Sequence, residues 1–232
     1  MGNADAGSAA VAEAAAIDGA VVAQALRRWP RIILGTSSSA RRGVMDELAA
    51  QYGFQYEIAK AGIDESVIRH EDARQLVLSL AHAKADAIRA ALRQQGTDGH
   101  GLLVTCDQVV LHEGTILEKP ADEAQARDFI AGYARAPAAT VGSVVLTDLS
   151  NGRSWGGVDV AEIHFQAIPE ASIDALIAEG EVFWCAGGLM VEHALVAPHV
   201  TRMDGTLDSV MGLAKHLLLR LLCQAAAEAP AS

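Results

Sequence analysis

Ile32-Ile33-Leu34-Gly35-Thr36-Ser37-Ser38-Ser39-Ala40-Arg41-Arg42, running on into Gly43-Val44-Met45-Asp46-Glu47-Leu48, is the stretch that decides how the chain is read. Its β-branched and apolar start reads as a buried strand. The hydroxyl-rich turn offers helix N-caps, and Val44, Met45 and Leu48 fall on one face of a following helix. Strand, polar loop and helix in that order predict an α/β chain. Arg41 and Arg42 fall in the first helical turn, where unpaired N–H groups and the helix dipole already present positive charge. An anion held there removes the conflict, and hydroxyls, backbone N–H groups and an arginine fork suit a phosphate. The alternative is that both arginines face solvent or pair with Asp46 and Glu47.

Working outward, 232 residues, 51% of them hydrophobic, can fill one large α/β domain or two small lobes. No window is apolar for long enough to cross a membrane. A net charge of −11 argues against a nucleic acid polymer as partner, since such backbones are gripped by a broad basic surface. Phosphate chemistry here must use a few placed cations, and lysine occurs only at positions 60, 84, 119 and 215. Cys106, Cys185 and Cys223 are odd in number and far apart, which predicts no disulfide framework and a reducing, cytoplasmic setting. Residues 1–29 are alanine-rich and contain Asp5, Glu13 and Asp18. They read as an N-terminal extension, helical from about Ala9, rather than as a leader. Residues 30–223 read as the domain and 224–232 as a tail.

Downstream, Phe54–Ile58 alternates like a strand and leads to a loop ending in Asp64 and Glu65. Glu71–Leu92 is a long amphipathic helix whose apolar stripe of Val77, Leu80, Ala81, Ile88 and Leu92 contains Lys84, a costly placement unless it snorkels or meets an anion. Leu102–Cys106 reads as a core strand that delivers Asp107 near its end, where α/β sheets usually bind ligands. A hairpin at His112–Thr115 precedes Lys119-Pro120, and helices are expected at Asp122–Gly132 and after Pro169. Strands are expected at Thr140–Thr147 and Val158–Phe165, the latter with a bulge near Ala161-Glu162. Residues 181–209 read as irregular, and Leu213–Cys223 as a final helix. No Walker loop, nucleophile elbow, zincin motif or dinucleotide fingerprint is present. What remains are acids (Asp64, Glu65, Asp107) and cations (Arg41, Arg42, Lys84, Lys119) at strand ends and loops. Such acids can hold a hard divalent cation, and such cations can neutralise a phosphate chain.

Six ordered segments carry a resemblance: Leu34–Arg42, Gly62–Glu65, Ala83-Lys84-Ala85, Cys106–Val110, Ile116–Pro120 and Ala186-Gly187. In order and spacing they resemble the motifs of the Maf family, over roughly Arg31 to Leu222. The resemblance implies an inosine-triphosphatase-like α/β fold, an elongated mixed β-sheet with flanking helices and two lobes around a central cleft. It also implies a nucleoside triphosphate pyrophosphatase that uses Mg²⁺ or Mn²⁺ to release pyrophosphate and a nucleoside monophosphate, and that commonly forms a homodimer.

Carried over position by position, Thr36 replaces the family's first serine, Ser38 keeps the second and Arg41 matches an arginine that binds phosphate, while Ser39 stands where proline is usual and Ala40 where many members have another catalytic arginine, a contact that is missing or is supplied by Arg42. Glu65, Lys84, Asp107 and Lys119 match metal, phosphate and acid–base positions. The resemblance assigns metal ligation to Glu65 and Asp107, and catalysis to Asp107, Lys84, Lys119 and Arg41. Asp107-Gln108 together with a late Glu192 resembles members acting on 7-methyl-GTP, whereas members with Asp-Thr and a late Gln look like dTTP and UTP pyrophosphatases. Guanine offers N–H donors to a carboxylate, and a methylated, cationic ring favours Glu192 and an aromatic face, for which Trp184 is a candidate unless it belongs to the core or an interface. Against the enzyme stands a nucleotide-binding regulator of septum formation that binds without turnover, a reading only Ala40 favours.

Overall fold

In a computed structural model, residues 17–228 are described. The chain forms α1 (Gly19–Leu26), β1 (Ile32–Gly35), α2 (Ser39–Tyr52), β2 (Glu57–Ala59), α3 (Ala73–Gln94), β3 (Leu102–His112) and β4 (Thr115–Leu117). It continues with α4 (Glu123–Gly132), β5 (Ala138–Asp148), β6 (Ser154–Phe165), α5 (Glu170–Glu179), β7 (Val200–Asp204), α6 (Leu207–Val210) and α7 (Lys215–Glu228). The expected strand–loop–helix opening is β1 and α2, with Ser38 as the N-cap accepting from the Arg41 N–H.

The seven strands make one mixed sheet in the order β2-β1-β3-β5-β6-β7, with β4 paired to β3. β1 runs parallel to β3 and stops where Gly35 meets Thr105, while β4 begins beside the same edge of β3 only at Val110. The far edge of β3 is paired with β5 along its whole length. Residues 106–109 therefore present an open edge between two lobes. Gly35 closes the first lobe at this point because a Cβ there would lie 2.6 Å from Ile88 and 2.7 Å from Thr105.

The two faces of the sheet are covered differently. On one face the single helix α3 crosses both lobes, packing Ala85, Ile88 and Leu92 against Ile33 and Leu103, and Ala73, Leu76, Val77 and Leu80 against Val109 and Val141. On the other face α1, α2 and α7 cover one lobe, and α4, α5 and the 181–199 turns cover the other. Between those two apolar clusters runs a cross-strand row of Gln108, Gly142 and Asp159. That row is the floor of the cleft.

Some expectations shift. Val22 and Ala25, from the segment read as an extension, and Ala225, from the segment read as a tail, are buried in one cluster with β1 and α7. The start of the expected N-terminal helix, about Ala9–Ala16, and residues 229–232 lie outside the described residues. β6 pairs with β5 without interruption through Ala161 and Glu162. The irregularity lies instead at His164/Phe165, against β7, a strand that the reading of 181–209 as irregular passed over. β7 is short and carries Thr201, Arg202 and Asp204 on a sheet edge, so it has no apolar alternation to announce it. Among the described residues no helix is long and apolar enough to cross a membrane.

Candidate active site

The open edge of β3 is where Glu65, Lys84, Asp107 and Arg41 collect. Asp107 points to the α3 face, on a strand held in depth by Thr105, whose hydroxyl donates to Ala81 O at 2.9 Å. Lys84, projecting from α3 between its two apolar stretches, contacts the Asp107 carboxylate and lies 3.0 Å from Glu65 Oε1. The side chains are 11% exposed at Lys84, 8% at Asp107 and 45% at Glu65. The inward lysine thus meets two anions at the place where the sheet is open. Burial pushes the Asp107 carboxyl above the usual carboxylate range, against the pull of Lys84 and Arg41, and Glu65 adds to the upward shift. A carboxyl poised upward in this way suits general base work near neutral pH. Ser143 backs it: its hydroxyl donates to Val77 O at 2.7 Å and accepts from the Asp107 N–H at 3.2 Å.

Arg41 enters from the other side of the edge. Its Nε donates to Gly212 O at 3.0 Å and its Nη1 to Cys106 O at 3.1 Å. Nη2 has no protein acceptor among the described residues, so one arm of the fork is left for an anion. Gly212 has φ +95°, and a Cβ there would stand 2.9 Å from Arg41 Nε. Glycine is required for this approach. Thr36 is buried, and its hydroxyl accepts from the Ser38 N–H at 3.0 Å, shaping the loop. Neither arginine pairs with Asp46 or Glu47: Asp46 accepts from the Tyr56 hydroxyl at 2.6 Å and Glu47 pairs with Lys215. The Arg42 side chain, half-buried, has no hydrogen bond or ion pair among the described residues.

The remaining predicted residues sit elsewhere in the cleft. Gln108 lies on its floor with Nε2 donating to Ser209 O and Val210 O, both at 3.0 Å, so only its Oε1 is left for a ligand. Lys119 and Glu192 are exposed and act with opposite sign on the half-buried Cys185 thiol, which desolvation pushes up to about 11. These two are not in contact with the Glu65–Lys84–Asp107 group. The two zones are joined by Arg69, which donates to Glu65 O at 3.3 Å and pairs with Glu118 at 3.5 Å, while Glu118 O accepts from Gly187 N at 2.8 Å. Trp184 is 78% exposed, so it is not a core residue. Sequence reading missed Arg69, Ser143 and the carbonyls of 209–212. Only Ser143 left a trace, as a hydroxyl alone inside the apolar run Val141–Val145.

Glu65 and Asp107 supply hard oxygen ligands converging on one point, and that point already carries a cation, the Lys84 ammonium. This donor set fits Mg²⁺ or Mn²⁺. A second group of possible ligands, Glu162, His164 and Asp204, brings its ligand atoms within 4.8 Å of one another at the β6–β7 edge. Glu162 pairs through Ala139 with Leu111, four residues beyond Asp107 and two strands away, with Asp204 a strand further. At ~3.3 Å per residue and ~4.8 Å per strand, this edge is well over 10 Å from Asp107 and cannot share its ion. Arg202 also already pairs with Asp204 at 2.7 Å.

Comparison with known proteins identifies the family. The family model described as Maf-like protein matches residues 31–225. The chain belongs to the Maf-like family. A 7-methyl-GTP pyrophosphatase of Dictyostelium discoideum is 35% identical over 195 residues, covering 83% of this chain and 96% of that protein. A nucleoside triphosphate pyrophosphatase of Salinispora tropica is 31% identical, covering 84% and 83%. A dTTP/UTP pyrophosphatase of Chromobacterium violaceum is 30% identical, covering 86% and 97%. The relatives of this Maf-like chain thus include, by name, pyrophosphatases for more than one base.

Proposed function

We propose that this Maf-like protein is a cytoplasmic nucleoside triphosphate pyrophosphatase, acting as a homodimer and releasing a nucleoside monophosphate and pyrophosphate, with 7-methyl-GTP favoured. The observation that carries the reading is the Glu65–Lys84–Asp107 cluster on the open edge of β3, opposite an Arg41 fork with one free arm. A single-cation anchor without acids would only bind phosphate; a buried carboxyl pushed upward beside it can also take a proton.

The triphosphate lies along the Thr36–Arg42 loop, with the hydroxyls of Thr36 and Ser38 and the N-terminal N–H groups of α2 facing it. Asp107 takes the proton from the water that attacks the α-phosphorus. Arg41, Lys84 and Lys119 meet the charge that grows on the departing pyrophosphate, and Arg42 adds a loop cation. Glu65 and Asp107 would hold a divalent cation, which when bound supplies further neutralisation of the phosphates. Gln108 Oε1 and Glu192 face the nucleoside end, and the exposed Trp184 ring offers a stacking face to a cationic purine. The three cysteines are free, in keeping with a reducing compartment.

The D. discoideum relative favours 7-methyl-GTP, and the C. violaceum relative keeps dTTP and UTP as the second reading. Pyrophosphate release with Mg²⁺ or Mn²⁺ across 7-methyl-GTP, GTP, dTTP, UTP, CTP and ITP separates them, with light scattering for the dimer. Preference for 7-methyl-GTP supports the proposal. Preference for dTTP or UTP keeps the chemistry and refutes the base assignment, and binding without turnover of any nucleotide favours a regulator.

A further inference from the structure

Beyond Gln108, the cleft floor continues across Gly142 to Asp159 on β6. Where a Cβ of Gly142 would stand, the nearest atom is Asp107 O at 3.8 Å, so the floor between the two side chains is bare. Asp159 accepts from His216 Nε2 at 2.9 Å, with side-chain exposures of 16% and 7%. The Ser209 hydroxyl bonds to the same carboxylate and also to Thr206 Oγ1 at 2.8 Å. One carboxylate on the floor thereby ties down both α6 and the first turn of α7.

The segment so tied has a second job. Its backbone supplies Ser209 O and Val210 O to Gln108, and Gly212 O to Arg41 Nε. Among the described residues, only Cys106 O besides Gly212 O fixes the direction of the Arg41 fork. His216 is also an expensive choice for mere packing. It lies near the start of a helix, where the dipole disfavours a cation, among Leu217, Leu218 and Leu219, and its Nδ1 has no partner among the described residues. An apolar residue would fill that position at no such cost. The groups facing the imidazole are Asp159 from β6, Asp208 from α6 and Arg220 from its own helix, and the two acids prevail, so His216 is held above its usual value.

We propose that Asp159 and His216 form a positioning pair for the triphosphate site: by fixing residues 206–214 they aim Arg41 and Gln108, and their effect is exerted through nucleotide affinity. This rests on the cleft being a nucleoside triphosphate site, and adds to it two residues that touch neither phosphate nor metal. Protonation of His216 strengthens the pair, so affinity falls as the pH rises through its raised value.

The test is a double-mutant cycle of His216→Leu and Arg41→Met, read as KM and kcat for 7-methyl-GTP and as Kd for the non-hydrolysable α,β-methylene-GTP. His216→Leu is expected to raise KM and Kd about tenfold with kcat changed less than threefold, and its effect should shrink to under threefold in the Arg41→Met background, where only the share exerted through Gln108 is left. His216→Gln, whose amide can still donate to Asp159, should recover most of the affinity and lose the alkaline rise in KM seen in the wild type. Circular dichroism and melting check folding, and the milder Asp159→Asn carries the cycle if His216→Leu does not fold. Multiplying effects of the two substitutions, or an unchanged KM and Kd in every His216 variant, overturns the proposal. A wild type that hydrolyses no nucleotide would refute the pyrophosphatase reading, while the cycle would still be read in Kd.

Discussion

Lys84→Met separates the electrostatic role of the buried lysine from its packing. Methionine keeps an unbranched apolar stem of similar length between Leu80 and Ile88, so the lost term is the ammonium. Without it, the nine-tenths buried Asp107 and the half-exposed Glu65 face each other with no cation between them. Removing one partner of a buried ion pair costs about 3–5 kcal/mol. The deficit must depend on pH. Burial already holds the Asp107 carboxyl above its unfolded value, so its favourable contribution is present below the ordinary carboxylate range and lost as the pH rises through the folded value. Losing Lys84 moves that value higher still. At pH 8 the variant therefore carries an unpaired buried charge, and at pH 5 it sheds it by binding a proton, leaving a deficit of about 1–2 kcal/mol. Asp107→Asn is the counter-experiment: Lys84 retains Glu65 at 3.0 Å, and the cost is about 1–2 kcal/mol at pH 5 and smaller at pH 8, the opposite trend to Lys84→Met, because the variant lacks the carboxyl whose contribution fades as the pH rises. Urea denaturation of the three proteins at pH 5 and pH 8 measures both numbers. A Lys84→Met deficit below about 1 kcal/mol at pH 8, or one that does not shrink on acidification, refutes the reasoning.

Asp107→Asn is also expected to lower kcat for pyrophosphate release by about 10²–10³, the usual loss for a placed catalytic group. Gly212→Ala places a side chain at φ +95° and 2.9 Å from Arg41 Nε, so it should cost about 1–3 kcal/mol in denaturation and raise the nucleotide KM; a neutral result would show that Arg41 is not held there. Trp184→Ala should weaken 7-methyl-GTP more than GTP, by about 0.5–2 kcal/mol in relative kcat/KM, and equal losses on both would remove the tryptophan from base recognition.

Much of the fold was legible because its punctuation is strong. Ser38 and Asp122 cap helices as their residue types suggest, and Pro169 and Gly180 bracket α5. β3 and the long α3 announce themselves by length and apolar period. β7 was not legible, since an edge strand with Arg202 and Asp204 on it looks like loop, and neither was the site of the bulge, which follows from pairing with that strand. In the site, Lys84 and Asp107 stood out as charged residues in apolar company. Their partnership with each other depends on α3 crossing the sheet, which residues 23 positions apart do not reveal. The carbonyl anchors that residues 209–212 supply to Arg41 and Gln108 are backbone atoms about 100 or more residues away, and no side-chain pattern encodes them. Asp159 and His216 read separately as an ordinary strand acid and a helix histidine; only the sheet register and the seat of α7 bring them together.

The central claim is that water attacks the α-phosphorus within the Asp107–Lys84–Arg41 cleft, and it is tested most directly by hydrolysis of 7-methyl-GTP in ¹⁸O-water with the products resolved by mass. A single ¹⁸O is expected in the nucleoside monophosphate and none in the pyrophosphate, with the reaction slowed about 10²–10³-fold in Asp107→Asn. Label in pyrophosphate or in inorganic phosphate, with a nucleoside diphosphate as the other product, would contradict it.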